Sequence, residues 1–186
     1  VVFLNEDRCL KGEYVMDTVL KIIKERRSIR NFQKKDIPEE IIKKLIDALI
    51  WAPSAGNLQS RKFYFVKDDK TKRDIATAAL NQNFIAEAPL VVVGCTDRRI
   101  ENRYGDRGVH LYSIQDVACS IMNMMLVASE NGLGSVWIGA FRESDVFEIL
   151  DMPNNLRPVA IVPVGYPSRI PSAPPRVSAK EAVEFR

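Results

Sequence analysis

The chain has one histidine, His110, and three cysteines, Cys9, Cys95 and Cys119, scattered far apart. So few imidazoles and thiols, at such spacing, exclude a Cys/His metal site. They also leave no histidine paired with a nucleophile or carboxylate for acid–base work; His110 reads as a structural residue near a helix start. Unpaired, separated thiols fit a reduced, cytoplasmic protein. There is no G-x-G-x-x-G, no P-loop lysine motif and no nucleophile elbow. The glycines of "NGLGSVWIG" follow a helix and precede a strand, the reverse of a dinucleotide turn. No apolar run approaches the roughly 20 residues of a membrane span. The opening "VVFLNEDRCLKGEYV" lacks the apolar core of a signal peptide. Net charge is only +3, from 27 basic and 24 acidic residues, without the dense basic stripe of a nucleic-acid binder. With no conventional catalytic set, an enzyme built on this sequence needs a cofactor to carry its reaction.

What is present is a chain of 186 residues, 46% hydrophobic and 27% charged, suited to one globular domain. Residues 1–15 read as an N-terminal extension. Residues 16–186 read as the domain, with an extended tail from about 166. A helix is expected over about 17–26. A second starts at Pro38, Glu39 and Glu40, where proline and acids suit a first turn. On it Ile41, Ile42, Leu45, Ile46, Leu49 and Ile50 form one apolar face. "KFYFVK", "PLVVVGCT", "GSVWIGAF" and "RPVAIVPVGY" read as strands, and "KTKRDIATAAL" and "ESDVFEIL" as helices. A long helix from about Gly108 to Asn131 is apolar nearly all round, which points to a subunit interface. The tail carries Pro167, Pro171, Pro174 and Pro175, which predict extended chain without helix. Strands and helices mix without regular βαβ alternation, so the expected class is α+β, a sandwich rather than a doubly wound sheet.

Three stretches could carry chemistry. "ERRSIRNF" gathers Arg26, Arg27 and Arg30 around Ser28. It is either a solvated loop or a phosphate site, since guanidinium forks match phosphate oxygens. "PSAGNLQS" is either a helix-ending turn or a place where backbone meets a flat ligand, with Asn57 and Gln59 offering amides. "WIGAF" places Gly139 and Ala140 at a strand end. That is either tight packing or exposed N–H groups aimed at a cofactor ring. Met122, Met124 and Met125 read as core or interface.

"RRSIRNF", "APSAGNLQ", "APLVVV", "GLGSVWIGAF" and "VGYP…PPR" stand in the order and spacing of the nitroreductase family, which the chain resembles over about residues 17–178. The resemblance implies a three-layer α+β fold, with a mixed, mostly antiparallel sheet flanked by helices. It implies two intertwined subunits with FMN at the dimer interface, NADH or NADPH as reductant, and a nitroaromatic, quinone, flavin or similar acceptor reduced by a ping-pong mechanism. By position, Arg26 and Ser28 hold the FMN phosphate with Arg27 beside them, and Arg176 returns to it from the tail. Arg30 reaches the pyrimidine end of the ring, and Gln82 its edge or ribityl chain. Pro53, Ser54, Asn57 and Gln59 lie along the ring from the other subunit. The Gly139–Ala140 pair presents an amide to flavin N5. No side chain is assigned a catalytic role, no metal is implied, and neither nucleic acid nor membrane is a partner. The chain departs from the family at Ser60, Arg61 and Lys62, expected near the site rim, and at Pro174 and Pro175 before the late arginine. It also lacks added lid segments. A non-catalytic binder of FMN or another phosphorylated ligand is the alternative.

Overall fold

A computed structural model describes residues 18–186. The proposed extension 1–15, with Cys9, lies outside the described residues. Four strands make one antiparallel sheet in the order β1-β2-β4-β3: β1 Arg61–Val66, β2 Leu90–Asp97, β3 Gly134–Ser135 and β4 Leu156–Gly165. Every residue of β2 is buried, as expected for a central strand covered on both faces. On one face lie α2 (Glu39–Ile50) and α6 (Ser113–Glu130), where Leu45, Leu49, Val117, Ile121 and Met124 pack on Val92, Val162 and Val164. On the other lie α3 (Asp69–Ala78) and α7 (Glu143–Ile149), with Ile75, Val146 and Ile85 of the short α4 (Phe84–Glu87) against Val91, Val93 and Ile161. The expected α+β layers are therefore present.

Three expectations need correction. The "GSVWIGAF" strand shrinks to Gly134–Ser135 plus an isolated bridge between Ile138 and Ile161. Ile161 both donates to and accepts from Ile138, so its backbone faces that side. Two residues on, Pro163 faces the same side and has no N–H to give, so the ladder breaks opposite Val136. The long helix starts before Gly108. Helix α5 (Glu101–Arg107) kinks at Gly105 (φ 55, ψ −152) and runs through a π-helical turn, Gly108–Tyr112, into α6. This Arg98–Glu130 run is the one described helix long and apolar enough by composition to cross a membrane. Here its apolar residues pack on the sheet instead. Finally, the tail is not free of helix. Ser178 caps one turn, α8 (Ala179–Ala182), in a reciprocal capping box with Glu181, three residues beyond the last proline.

The apolar stripe of α2 divides. Ile42, Leu45 and Leu49 are buried, whereas Ile46 and Ile50 are exposed beside Trp51, which is 83% exposed. Ile46 and Ile50 line a cavity of about 350 Å³ with Phe63 and Phe65 of β1. Helix α1 (Thr18–Glu25) buries no residue and shows Val19, Leu20 and Ile23 to solvent, and α6 shows Met122 and Ile114. Among the described residues, the apolar side chains of α1, α2 and α6 are thus left uncovered.

At the other edge β3 is fixed by close packing. A Cβ on Gly134 would lie 2.4 Å from Ile29 Cγ1 and 2.7 Å from Ile29 Cβ. Gly134→Ala is therefore expected to cost about 1–3 kcal/mol through overpacking, read as a lower urea midpoint. An unchanged midpoint would mean that the Ile29 segment gives way freely.

Candidate functional site

The arginine segment is built onto the β3 edge. Ser28 bridges Ser135, and the Ile29 amide donates to the Ser135 carbonyl at 3.0 Å. Ile29 is buried, so alternation turns Ser28 and Arg30 outward. Arg26 and Arg27 line a cavity of about 190 Å³ with Gly134, Ser135, Pro167 and Ile170. Burial, then the charges of Arg176 and Arg27, hold the Arg26 guanidinium below its ordinary range. The tail therefore does bring Arg176 near Arg26. Among the described residues, Arg26, Arg27, Arg30 and Arg176 form no ion pair with a carboxylate. Arg27 turns its Nη1 back onto the end of α1, donating to the Lys24 carbonyl at 2.6 Å and the Arg26 carbonyl at 2.9 Å. It acts locally as a C-terminal cap.

Further along this edge, the Arg30 guanidinium sits 5.9 Å from the centroid of the Phe84 ring. Gln82, two residues before Phe84, donates from Nε2 to the Ala79 carbonyl at 2.9 Å and the Ala140 carbonyl at 3.3 Å. Gly139 and Ala140 are exposed. A Cβ on Gly139 would meet only Trp137 Nε1, at 4.0 Å, so the backbone there stands open. Arg26, Ser28, Arg30, Gln82, Gly139, Ala140 and Arg176 therefore share one edge of the fold.

Pro53, Ser54, Asn57 and Gln59 are elsewhere. They form the loop from α2 to β1, around a 3₁₀ turn at Ala55–Asn57. Gly56, Asn57 and Gln59 take left-handed φ of 54°, 57° and 52°. Such a run is held only by strong local contacts. The Gln59 amide donates to Ser54 Oγ at 3.0 Å. Arg61 donates to the carbonyls of Ile50 (3.1 Å), Ala52 (2.7 Å) and Pro53 (3.0 Å). The Ala55 amide donates to Asp116 Oδ1 at 2.9 Å. Neither Arg61 nor Asp116 was among the residues expected to serve the site. Arg61 lines the cavity with Ile46, Ile50 and Phe63, and its guanidinium is also a clamp on the loop's own carbonyls, while Ser60 beside it is buried. Asp116 had one sequence signal: it is the acid directly before the apolar run of α6.

Sheet register measures the gap between the two groups. Ser135 aligns with Val164, and Val164 with Leu90, whereas Arg61 aligns with Thr96. From Ser135 to Arg61 the separation is three strand spacings of about 4.8 Å and six residues at about 3.3 Å, or roughly 25 Å; Ile138, beside Gly139, is level with Val93 through Ile161, which brings that end of the edge to roughly 17 Å. No side chain bridges that distance. Within one chain the predicted residues fall into two groups on opposite edges of the sheet.

This is the architecture of an α+β domain that leaves apolar side chains of three helices uncovered and carries an unneutralised arginine corner beside open backbone. The model of the nitroreductase family matches residues 23–101 and 77–166. The chain belongs to the nitroreductase family. A protein of Methanothermobacter thermautotrophicus, provisionally named NADH dehydrogenase/NAD(P)H nitroreductase, is 31% identical over 87% of this chain and 84% of its own length. A Bacillus subtilis FMN reductase (NADPH) is 28% identical over 90% of this chain and 73% of its own length. Among solved structures, the NADPH:FMN oxidoreductase of Vibrio harveyi, complexed with NAD+, superposes with a TM-score of 0.83. It shares 28% identity over 90% of this chain and 76% of its own.

Proposed function

We propose that this chain is an NAD(P)H-dependent flavin oxidoreductase that works as a homodimer. It holds FMN between subunits and passes electrons to nitroaromatic, quinone, flavin or similar acceptors. The relatives' names support the chemistry. The separation of the two groups on opposite edges carries the dimer, because a second copy is the nearest source of the missing half. The exposed apolar side chains of α1, α2 and α6 supply area for it to bury.

The residues fit a flat ligand with an anionic end. Arg26 and Arg176 repel one another, and a phosphate between them turns that repulsion into charge-assisted hydrogen bonds. Ser28, exposed on the same segment, adds a neutral donor. Gly139 and Ala140 offer N–H groups that no side chain covers, for a ring atom to approach. Arg30 brings positive charge beside Gln82, favouring an anionic ring edge. The partner's loop from Pro53 to Gln59 closes the other side. FMN, once bound, supplies the two-electron chemistry; the chain positions it and sets its electrostatics. With no buried acid poised at this edge, the pocket selects acceptors by shape rather than by specific hydrogen bonds. The cytoplasm belongs to this reading and is supported by unpaired thiols: Cys95 is buried, its thiol pushed up to about 12, and Cys119 is free.

The protein is expected to purify yellow, or to turn yellow on reconstitution with FMN, and to bleach when mixed anaerobically with NADH or NADPH. A yellow protein that neither nucleotide bleaches would instead be a non-catalytic FMN binder.

A further inference from the structure

Asp116 is 4% exposed, in the first turn of α6 just before the apolar run that starts at Val117. Its Oδ1 accepts from the Ala55 amide at 2.9 Å, and its Oδ2 is buried without a hydrogen-bond partner among the described residues. A carboxylate left half-satisfied in the interior costs stability, which the nearby charge of Arg61 offsets only in part. Its single bond goes to the centre of the strained Pro53–Gln59 loop. Arg61 holds the same loop from its start, through the Ile50, Ala52 and Pro53 carbonyls, and its Nη1 comes within 3.5 Å of the Asp116 carbonyl. The clamp therefore has two arms, one on carbonyls and one on an amide. Gly56, next to Ala55, is pressed against Tyr104: a Cβ there would lie 2.4 Å from the hydroxyl oxygen. The loop is thus fixed against α5 and α6 as well as by Arg61 of its own strand.

We propose that Asp116 is a positioning residue for the flavin site of the opposite subunit. Through the Ala55 amide it holds the turn whose Gly56, Asn57 and Gln59 are left-handed, and so presents Pro53, Ser54 and Asn57 across the dimer interface. This rests on the functional reading above. The acceptor oxygen is what matters, so Asp116→Asn keeps FMN affinity within about threefold, because its Oδ1 still accepts. Asp116→Ala loses FMN affinity at least tenfold while the protein stays folded and dimeric by circular dichroism and sedimentation.

A second variant reaches the same bond from the other side. Ser54 has φ −147 and ψ 156, suited to precede a proline, and Ala55 opens the turn. Ala55→Pro deletes the N–H and leaves the carboxylate in place. If one bond positions the loop, the double variant Ala55→Pro/Asp116→Ala binds FMN no more weakly than the worse single variant. FMN titration of wild type, the three single variants and the double variant decides it. Wild type that takes up no FMN removes the functional reading itself. Wild type that binds, with Asp116→Ala binding equally well, overturns only the role of Asp116. So do losses that add in the double variant. Should Asp116→Ala fail to fold, Ala55→Pro with wild-type affinity overturns it as well.

Discussion

Arg26→Ala is expected to weaken FMN binding by about 10- to 150-fold while leaving the flavin-free protein at least as stable as wild type. The two effects have one cause. In the unliganded chain the Arg26 guanidinium is partly desolvated and faces Arg176 and Arg27, with no carboxylate among the described residues to offset them. Removing it relieves repulsion. With a phosphate present, the same group makes charge-assisted hydrogen bonds of about 1.5–3 kcal/mol each, which is the stated range in affinity. Arg176→Ala should behave alike but more weakly, because Arg176 is exposed where Arg26 is half-buried. Melting temperatures with and without FMN test this, since a ligand stabilises only what it binds. The idea fails if Arg26→Ala lowers the melting temperature without FMN yet keeps the full rise when FMN is added. Arg26 would then be a structural residue.

The second large effect comes from mixing two dead variants. Arg26→Ala/Arg176→Ala disables the arginine corner. Gly56→Val disables the loop, because φ is 54° and the Tyr104 hydroxyl oxygen occupies the place of a Cβ. Each homodimer is expected to be inactive at limiting FMN. If each site takes its arginine corner from one chain and its loop from the other, a mixed dimer has one intact site and one doubly damaged site. After equimolar subunit exchange about half the dimers are mixed, so about a quarter of the wild-type sites return. If a site used one chain only, mixed dimers would hold no intact site and activity would stay at zero. Confirmed mixed dimers without recovery would sink the shared-site geometry. The two cases give opposite outcomes, because the roughly 25 Å between the arginine corner and the start of β1 is too far for one side chain to span.

Much of this was legible from residue types. Pro38, Glu39 and Glu40 marked the start of α2, and the observed helix is Glu39–Ile50. The unbroken apolar run "PLVVVGCT" marked a central strand, and β2 is buried at every position. The grouping of Arg26, Ser28 and Arg30 on one extended segment follows from local alternation once Ile29 is placed inside. Other features were not legible because they depend on which way a group points. The interruption of β3 follows from the side toward which Pro163 lacks its N–H. The division of the α2 stripe into a buried and an exposed half depends on where the sheet lies. Periodicity reports that Ile46 and Ile50 share a face with Leu49, not that nothing in this chain covers them.

By composition and spacing alone the chain pointed to its α+β class, its lack of a conventional catalytic set and three stretches able to meet a ligand, because those depend on side-chain chemistry and on periods of 3.6 and 2; the roles of single residues came from the family resemblance. Tertiary structure decided that the charge of Arg176 reaches Arg26, that Arg61 clamps a loop, and that Asp116 reaches Ala55. It also placed the two groups of site residues on opposite edges of the sheet. Each of those facts is a distance between residues far apart in sequence, and such distances exist only once the sheet has its register.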